Sequence, residues 1–379
     1  MQYGSFNDAF ASLFEVNMGV KRGERIVVFS DLIRDDEMPG PVETERRRKL
    51  FEVAGRAADF ASDKYGNATF VGFPATSGSG VEPPAALWLA VFGDRNMDRL
   101  KEKGLLEPLI SKTAGHAELE AATAIVVAGR NDVADIVVAL ANNSTSHTRF
   151  RALANAAGCR FASLPHFDPD MFFGSMQVDW DRLKLRTELL AAALQGAVEI
   201  RLSTPNGTRM TFGCSGRNAA GDDGMLSAPG SFGNLPAGEV YLAPVEGTSS
   251  GVMVLEYAPS RKLDAPVRVT VEGGIAVSVE GDDLLAGFLA DTFAANPLTR
   301  NIAELGIGTN DRATRPDNIL EAEKILGTIH IALGDNSGFG GNVQVPYHED
   351  YIFFRPTLTA LFADGREVPL LKDGGLLVG

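Results

Sequence analysis

The alternation of apolar and polar positions divides the chain into two regimes. In the first, apolar runs alternate with amphipathic stretches. ERIVVFSD reads as a buried strand, Glu43 to Tyr65 as a helix ending near Gly66, ATFVGFP as a strand, AALWLAVF as a short helix and TAIVVAG as another strand. TRFRALANAAGCRFASLP then repeats helix followed by strand. Strands alternating with helices predict a doubly wound α/β domain with a largely parallel sheet. A long amphipathic helix, Asp179 to about Gln195, closes this regime. After it come short β runs: VEIRLSTP, RMTFGC, GEVYLAP, GVMVLEY, PVRVTVEGG and IAVSVEG, divided by Gly, Asn, Asp and Pro turns. A helical stretch from Asp282 to Ala295 interrupts them. The pattern predicts an N-terminal α/β domain over residues 1–190 and a β-rich α+β domain over 191–379.

Composition narrows what such a protein does. A length of 379 residues suits two domains. No apolar run reaches the roughly 18 residues of a membrane span, and the start lacks a basic region ahead of an apolar core. A cytoplasmic protein without membrane contact is expected. The net charge of −14 argues against nucleic acid, which requires clustered Lys and Arg. The basic group Arg46 to Lys49 is flanked by acids on an amphipathic helix and reads as a solvated face. Cys159 and Cys214 form no disulfide framework and no metal spacing. No G-x-G-x-x-G follows the first strand, so nucleotide binding has no support.

Candidate chemistry gathers in the second half. From Thr328 to Leu333, Ile329, Ile331 and Leu333 alternate with Thr328, His330 and Ala332, which puts His330 on the face opposite the aliphatic one. Asn342 to Phe354 reads as a second strand in which His348 and Asp350 share a face, with Cα atoms about 7 Å apart. GDNSGFGGN between them is an irregular turn. If the strands pair, two imidazoles and a carboxylate meet, a metal-ligand set. Two further carboxylates suit such a site. Glu246 stands on a turn after a strand broken by Pro244, and Glu304 lies in a short apolar strand, where an ionised group needs a partner or a metal. Arg217, in CSGRNAAGDDG, is a candidate clamp for a substrate carboxylate through its planar fork of donors. His147 and His166 read as structural or supporting groups.

The blocks NLPAGEVYLAPVEGTSSG, AELGIGTN, EKILGTIHIALGDN and HED, in this order, resemble those of the thermophilic aminopeptidase T family of metallopeptidases. The likeness extends upstream through STPNGTRMTF, VDWDRL, STSHTRFRALANAAGCR and GERIVVFSD, nearly the whole chain. The resemblance implies a homodimer of two-domain subunits with two divalent ions, zinc, cobalt or manganese, on Glu246, Glu304, His330, His348 and Asp350. It also implies a metal-bound Tyr seven residues after the first His, where this chain has Ser337; Asp335 is the substitute oxygen donor expected, or Tyr347 or Tyr351 with the strands displaced. The first expectation is therefore a metallo-aminopeptidase that hydrolyses small peptides through a metal-activated water, with Glu246 or Glu304 taking the proton. The same superfamily resembles dioxygenases that open dihydroxypyridine rings. His330, His348 and Asp350 alone make the two-His, one-carboxylate set that leaves open positions on non-haem Fe(II), the alternative expectation. A non-catalytic binding protein on the same fold is the third.

Overall fold

The computed structural model describes residues 5–259 and 261–378. The chain is mixed α/β and forms two compact units, one running to Gln177 and regaining Gly224–Pro236, the other comprising Val178–Asp223 and the chain from Ala237.

The first unit is built on five strands in the order Ala68–Pro74, Ile26–Leu32, Ile136–Ala139, Arg160–Ser163, Phe232–Asn234. Every neighbouring pair is parallel. Ile136–Ala139 and Arg160–Ser163 are buried along their whole length, as strands covered on both faces must be. The helix Pro41–Tyr65 opens with Pro at its first position and stops at Gly66, whose φ of 98° no β-carbon tolerates well. At the end of the first strand buried Asp31 accepts the backbone N–H groups of Asn142 (2.6 Å) and Asn143 (3.0 Å), fixing the loop after the third strand.

Two expectations change here. TAIVVAG is not a strand but the end of the helix His116–Ala128, which buries Ala122 and Val126 at helical spacing. The strand of that region is Ile136–Ala139. A short apolar run carries no period long enough to separate the two. The unit boundary also precedes the helix Trp180–Leu194, whose Leu190 and Leu194 belong to the second core, rather than following it at 190. Phe232–Asn234 leaves the second half to pair with Arg160–Ser163.

The second unit holds two antiparallel sheets. The larger has eight strands in the order Ile275–Glu280, Arg261–Glu272, Ser250–Ala258, Arg209–Gly213, Ala197–Ser203, Thr357–Phe362, Glu367–Lys372, Gly375–Leu376. The smaller has five: His348–Phe353, Ile329–Gly334, Ile302–Gly308, Glu239–Leu242, Ala220–Asp222. Ile200, Leu202, Phe212, Met253 and Val269 of the first share one apolar core with Val240, Leu242, Leu305, Ile307, Ile331 and Phe353 of the second. Each strand of the smaller sheet alternates, so the residues between these face away from that core. No helix among the described residues is long and apolar enough to cross a membrane.

Candidate metal centre

The face turned from the core carries the chemistry. Pairing registers set Glu304 and Asp350 beside Ala332, Gly306 beside both His330 and Tyr241, and His348 beside Gly334. Small residues thus alternate with large polar ones across adjacent strands. Gly306 is the floor under His330, for a β-carbon there would lie 1.9 Å from Nε2.

Four of the expected residues lie on this face, His330 and His348 in separate donor groups that Glu304 and Asp350 each join. Glu304 Oε1 is 3.2 Å from His330 Nε2 and its Oε2 is 3.4 Å from His348 Nε2. Asp350 Oδ2 lies 3.7 Å from the same His348 nitrogen. His348 donates from Nδ1 to the Asp335 carbonyl at 2.7 Å, which leaves Nε2 as its free ligand atom. His330 is fully buried, whereas the His348 side chain keeps 31% exposure and marks the open side.

Glu246, expected as a ligand and proton acceptor, stands apart from this group. Its oxygens bond the Arg217 guanidinium (2.5 Å), the Asn336 amide (3.0 Å) and the Asn342 backbone N–H (2.7 Å). Burial opposes its charge, but those donors hold its carboxyl below the usual range. The contact found for Arg217 is this carboxylate. Glu239 takes the place foreseen for Glu246: its Oε2 is 3.3 Å from His330 Nε2 and its Oε1 receives the buried Lys324 ammonium. Glu239 begins the strand whose alternation buries Val240 and Leu242, so the period-two pattern already put it on the polar face. Lys324 and Glu323 had no sequence signal beyond their charge.

The donor chemistry fits a divalent ion. Glu239, Glu304 and His330 present ligand atoms within 4.8 Å of one another, as do Glu304, His348 and Asp350, and Glu323, His330 and Asp350. Asp350 Oδ1 is buried without a hydrogen-bond partner, a costly state for a carboxylate oxygen that lacks a cation; Glu239 Oε2 likewise accepts no hydrogen bond, though Lys324 balances the charge of that carboxylate. Electrostatics agree. Burial disfavours both imidazoliums, yet the Glu304 hydrogen bond and nearby carboxylates push His330 up to about 9, and Asp350 with Glu304 push His348 up to about 10. Burial alone would raise Glu304, but the two histidines hold it well below the carboxylate range. Burial lifts Glu323 to about 8 despite Lys324. In the metal-free protein protons on the histidines supply the positive charge this acidic face demands; a dication would displace them.

Comparison with known proteins fits this geometry. Among curated proteins none matches the chain. Two solved structures are similar in fold. The 2,5-dihydroxypyridine dioxygenase of Pseudomonas putida KT2440 aligns at a TM-score of 0.67 and 16% identity, over 98% of this chain and 96% of the other. Wild-type AmpT of Thermus thermophilus aligns at 0.60 and 14%, over 98% of this chain and 99% of the other. The family model for 2,5-dihydroxypyridine 5,6-dioxygenase (NicX) matches residues 99–374, a span that contains every residue of the candidate metal centre. By that match over most of its length, the chain belongs to the NicX family.

Proposed function

We propose that this protein is a mononuclear non-haem Fe(II) dioxygenase that opens a dihydroxylated aromatic ring of the dihydroxypyridine class, with His330, His348 and Asp350 as the metal ligands. This reverses the order of the two expectations drawn from sequence. One observation carries the choice: the donors that could replace the Tyr of a two-metal site are engaged elsewhere. Ser337 donates from its hydroxyl to Asp335 Oδ1 at 2.9 Å, and Asp335 Oδ2 accepts the Val345 N–H at 2.9 Å. The hydroxyls of Tyr347 and Tyr351 lie 3.4 Å apart, and Tyr351 packs in the apolar core on the other face. Charge supports the same reading. Glu239 already holds the Lys324 ammonium, so its charge does not call for a second dication. The NicX family match agrees with it.

When bound, Fe(II) held by His330, His348 and Asp350 would supply the one-electron chemistry that dioxygen requires. The chain's residues do the rest. The Asp335 carbonyl fixes the His348 tautomer. Gly306 and Ala332 keep the floor low enough for His330 and Asp350 to reach one point. Glu304 faces Nε2 of both histidines and accepts their hydrogen bonds in the metal-free protein; with those nitrogens holding an ion, it would be left to accept from a substrate hydroxyl.

A two-metal hydrolase acting on small peptides is the second reading, favoured by one observation: Glu304 is shared by two adjoining donor groups, one with Glu239 and His330, the other with His348 and Asp350. Elemental analysis of protein purified without chelator and without air separates them, together with oxygen uptake on 2,5-dihydroxypyridine and hydrolysis of leucine anilides. One iron per chain with oxygen-coupled ring loss is expected. Two metals per chain with oxygen-independent anilide hydrolysis would overturn the proposal. A homodimer in the cytoplasm belongs to the same reading, and light scattering at twice the chain mass checks its first part.

A further inference from the structure

The segment joining Ile329–Gly334 to His348–Phe353 is short and rich in glycine, yet it is tied down. Fully buried Asn336 is its hub. The Asn336 carbonyl accepts the Gly341 N–H (2.9 Å), its side-chain oxygen the Val343 N–H (2.9 Å), and its N–H bonds the Val343 carbonyl (3.0 Å). A β-carbon at Gly341 would sit 1.9 Å from the Asn336 side chain, so only glycine closes this turn. From outside the loop Glu246 holds it at two points, the Asn336 amide and the Asn342 N–H, and Arg217 holds Glu246.

The loop touches His348 twice. Its Asp335 carbonyl receives Nδ1–H at 2.7 Å, and the Phe339 ring meets the imidazole edge-on with centroids 5.9 Å apart. On its other side Phe339 packs against Tyr241 at 5.7 Å. His348 stands at the strand's first residue on the open side, where its own strand leaves it least confined. Its orientation depends on the loop.

We infer that Glu246 is a positioning residue of the metal centre: it anchors the Asn336–Asn342 loop so that the Asp335 carbonyl and the Phe339 ring aim His348 Nε2 at the metal. The inference rests on the metal-centre reading but holds for one ion or two. Outer partners of metal-bound histidines typically govern affinity by about 10- to 100-fold, and that range is expected on loss of this anchor.

The test uses Co(II), read by chelator competition and by its visible bands, on the full-length metal-free protein. Glu246→Ala should weaken Co(II) binding by roughly 10- to 100-fold and shift the bands. Glu246→Gln, whose amide oxygen still accepts from Asn342, should recover most of the affinity. A merely structural role would lower the melting temperature of both and leave the affinity and spectrum alone. If Glu246→Ala does not fold, Gly341→Ala replaces it, since it displaces Asn336 with Glu246 intact and should weaken Co(II) by a similar factor. Wild-type affinity in whichever of the two folds overturns the inference. Wild-type protein that binds no Co(II) would instead refute the metal centre itself.

Discussion

Gly306→Ala gives the sharpest test of how the centre is built, because two accounts of this glycine predict opposite signs. Gly306 lies mid-strand, and for a strand glycine with no other duty, Ala should stabilise by about 0.5–1 kcal/mol by restricting the unfolded chain. The structure gives it a duty. The added β-carbon would lie 1.9 Å from His330 Nε2, 2.1 Å from Cε1 and 2.7 Å from Cδ2. Carbon atoms settle at about 3.5–4.0 Å, so the ring must retreat by roughly 1.5 Å from a fully buried position. Overpacking of this kind costs about 1–3 kcal/mol, which outweighs the backbone gain. The consequence for metal is larger, since ligand distances hold within about 0.2 Å. A His330 displaced this far cannot bind the same ion, so affinity should fall by at least the 10- to 100-fold typical of losing a mere supporting group. Denaturant melts of the metal-free protein read the first effect and chelator competition the second. A variant as stable as wild type or more so, with unchanged metal affinity, would refute the floor argument and with it His330 as a ligand.

Three further outcomes are expected. Glu304→Gln should leave a single iron bound if His330, His348 and Asp350 hold it, and elemental analysis showing metal lost from the variant would favour the dinuclear reading. In the metal-free protein the histidines are raised to about 9 and about 10, above the roughly 6.5 of an unfolded imidazole, so their contribution to stability is complete below about pH 6.5 and vanishes as pH rises through 9 to 10. Metal-loaded protein should lack that decline, and calorimetry near pH 8 should show proton release on metal binding as an enthalpy that changes with the buffer. In the first unit Asp31→Ala should cost roughly 2–5 kcal/mol, because two backbone donors, Asn142 and Asn143, lose their acceptor; a melt within 0.5 kcal/mol of wild type, on the order of an ordinary surface change, would count against it.

The sequence by itself determined what depends on a local period. Alternation put His330 opposite Ile329, Ile331 and Leu333, and His348 with Asp350 on one face. The structure has those faces, because a pleated strand with one side buried admits only one register. The change from alternating helices and strands to short β runs likewise announced the passage from a parallel sheet to antiparallel ones. Tertiary structure decided what local period leaves open. TAIVVAG became helix because Ala122 and Val126, four residues apart, bury one helical face in the apolar core of that unit. Phe232–Asn234 returned to the first sheet because an edge strand pairs wherever a partner's backbone groups are free. The choice between two glutamates seven residues apart was also made in three dimensions. Glu239 stands before the Pro244 break, on a strand whose pairing with Ile302–Gly308 carries it to His330, while Glu246 stands after the break and faces Arg217. Their side chains are chemically identical. Only the hydrogen-bonded register of a distant strand, which no spacing along the chain encodes, places one beside His330 and leaves the other against the Asn336–Asn342 loop.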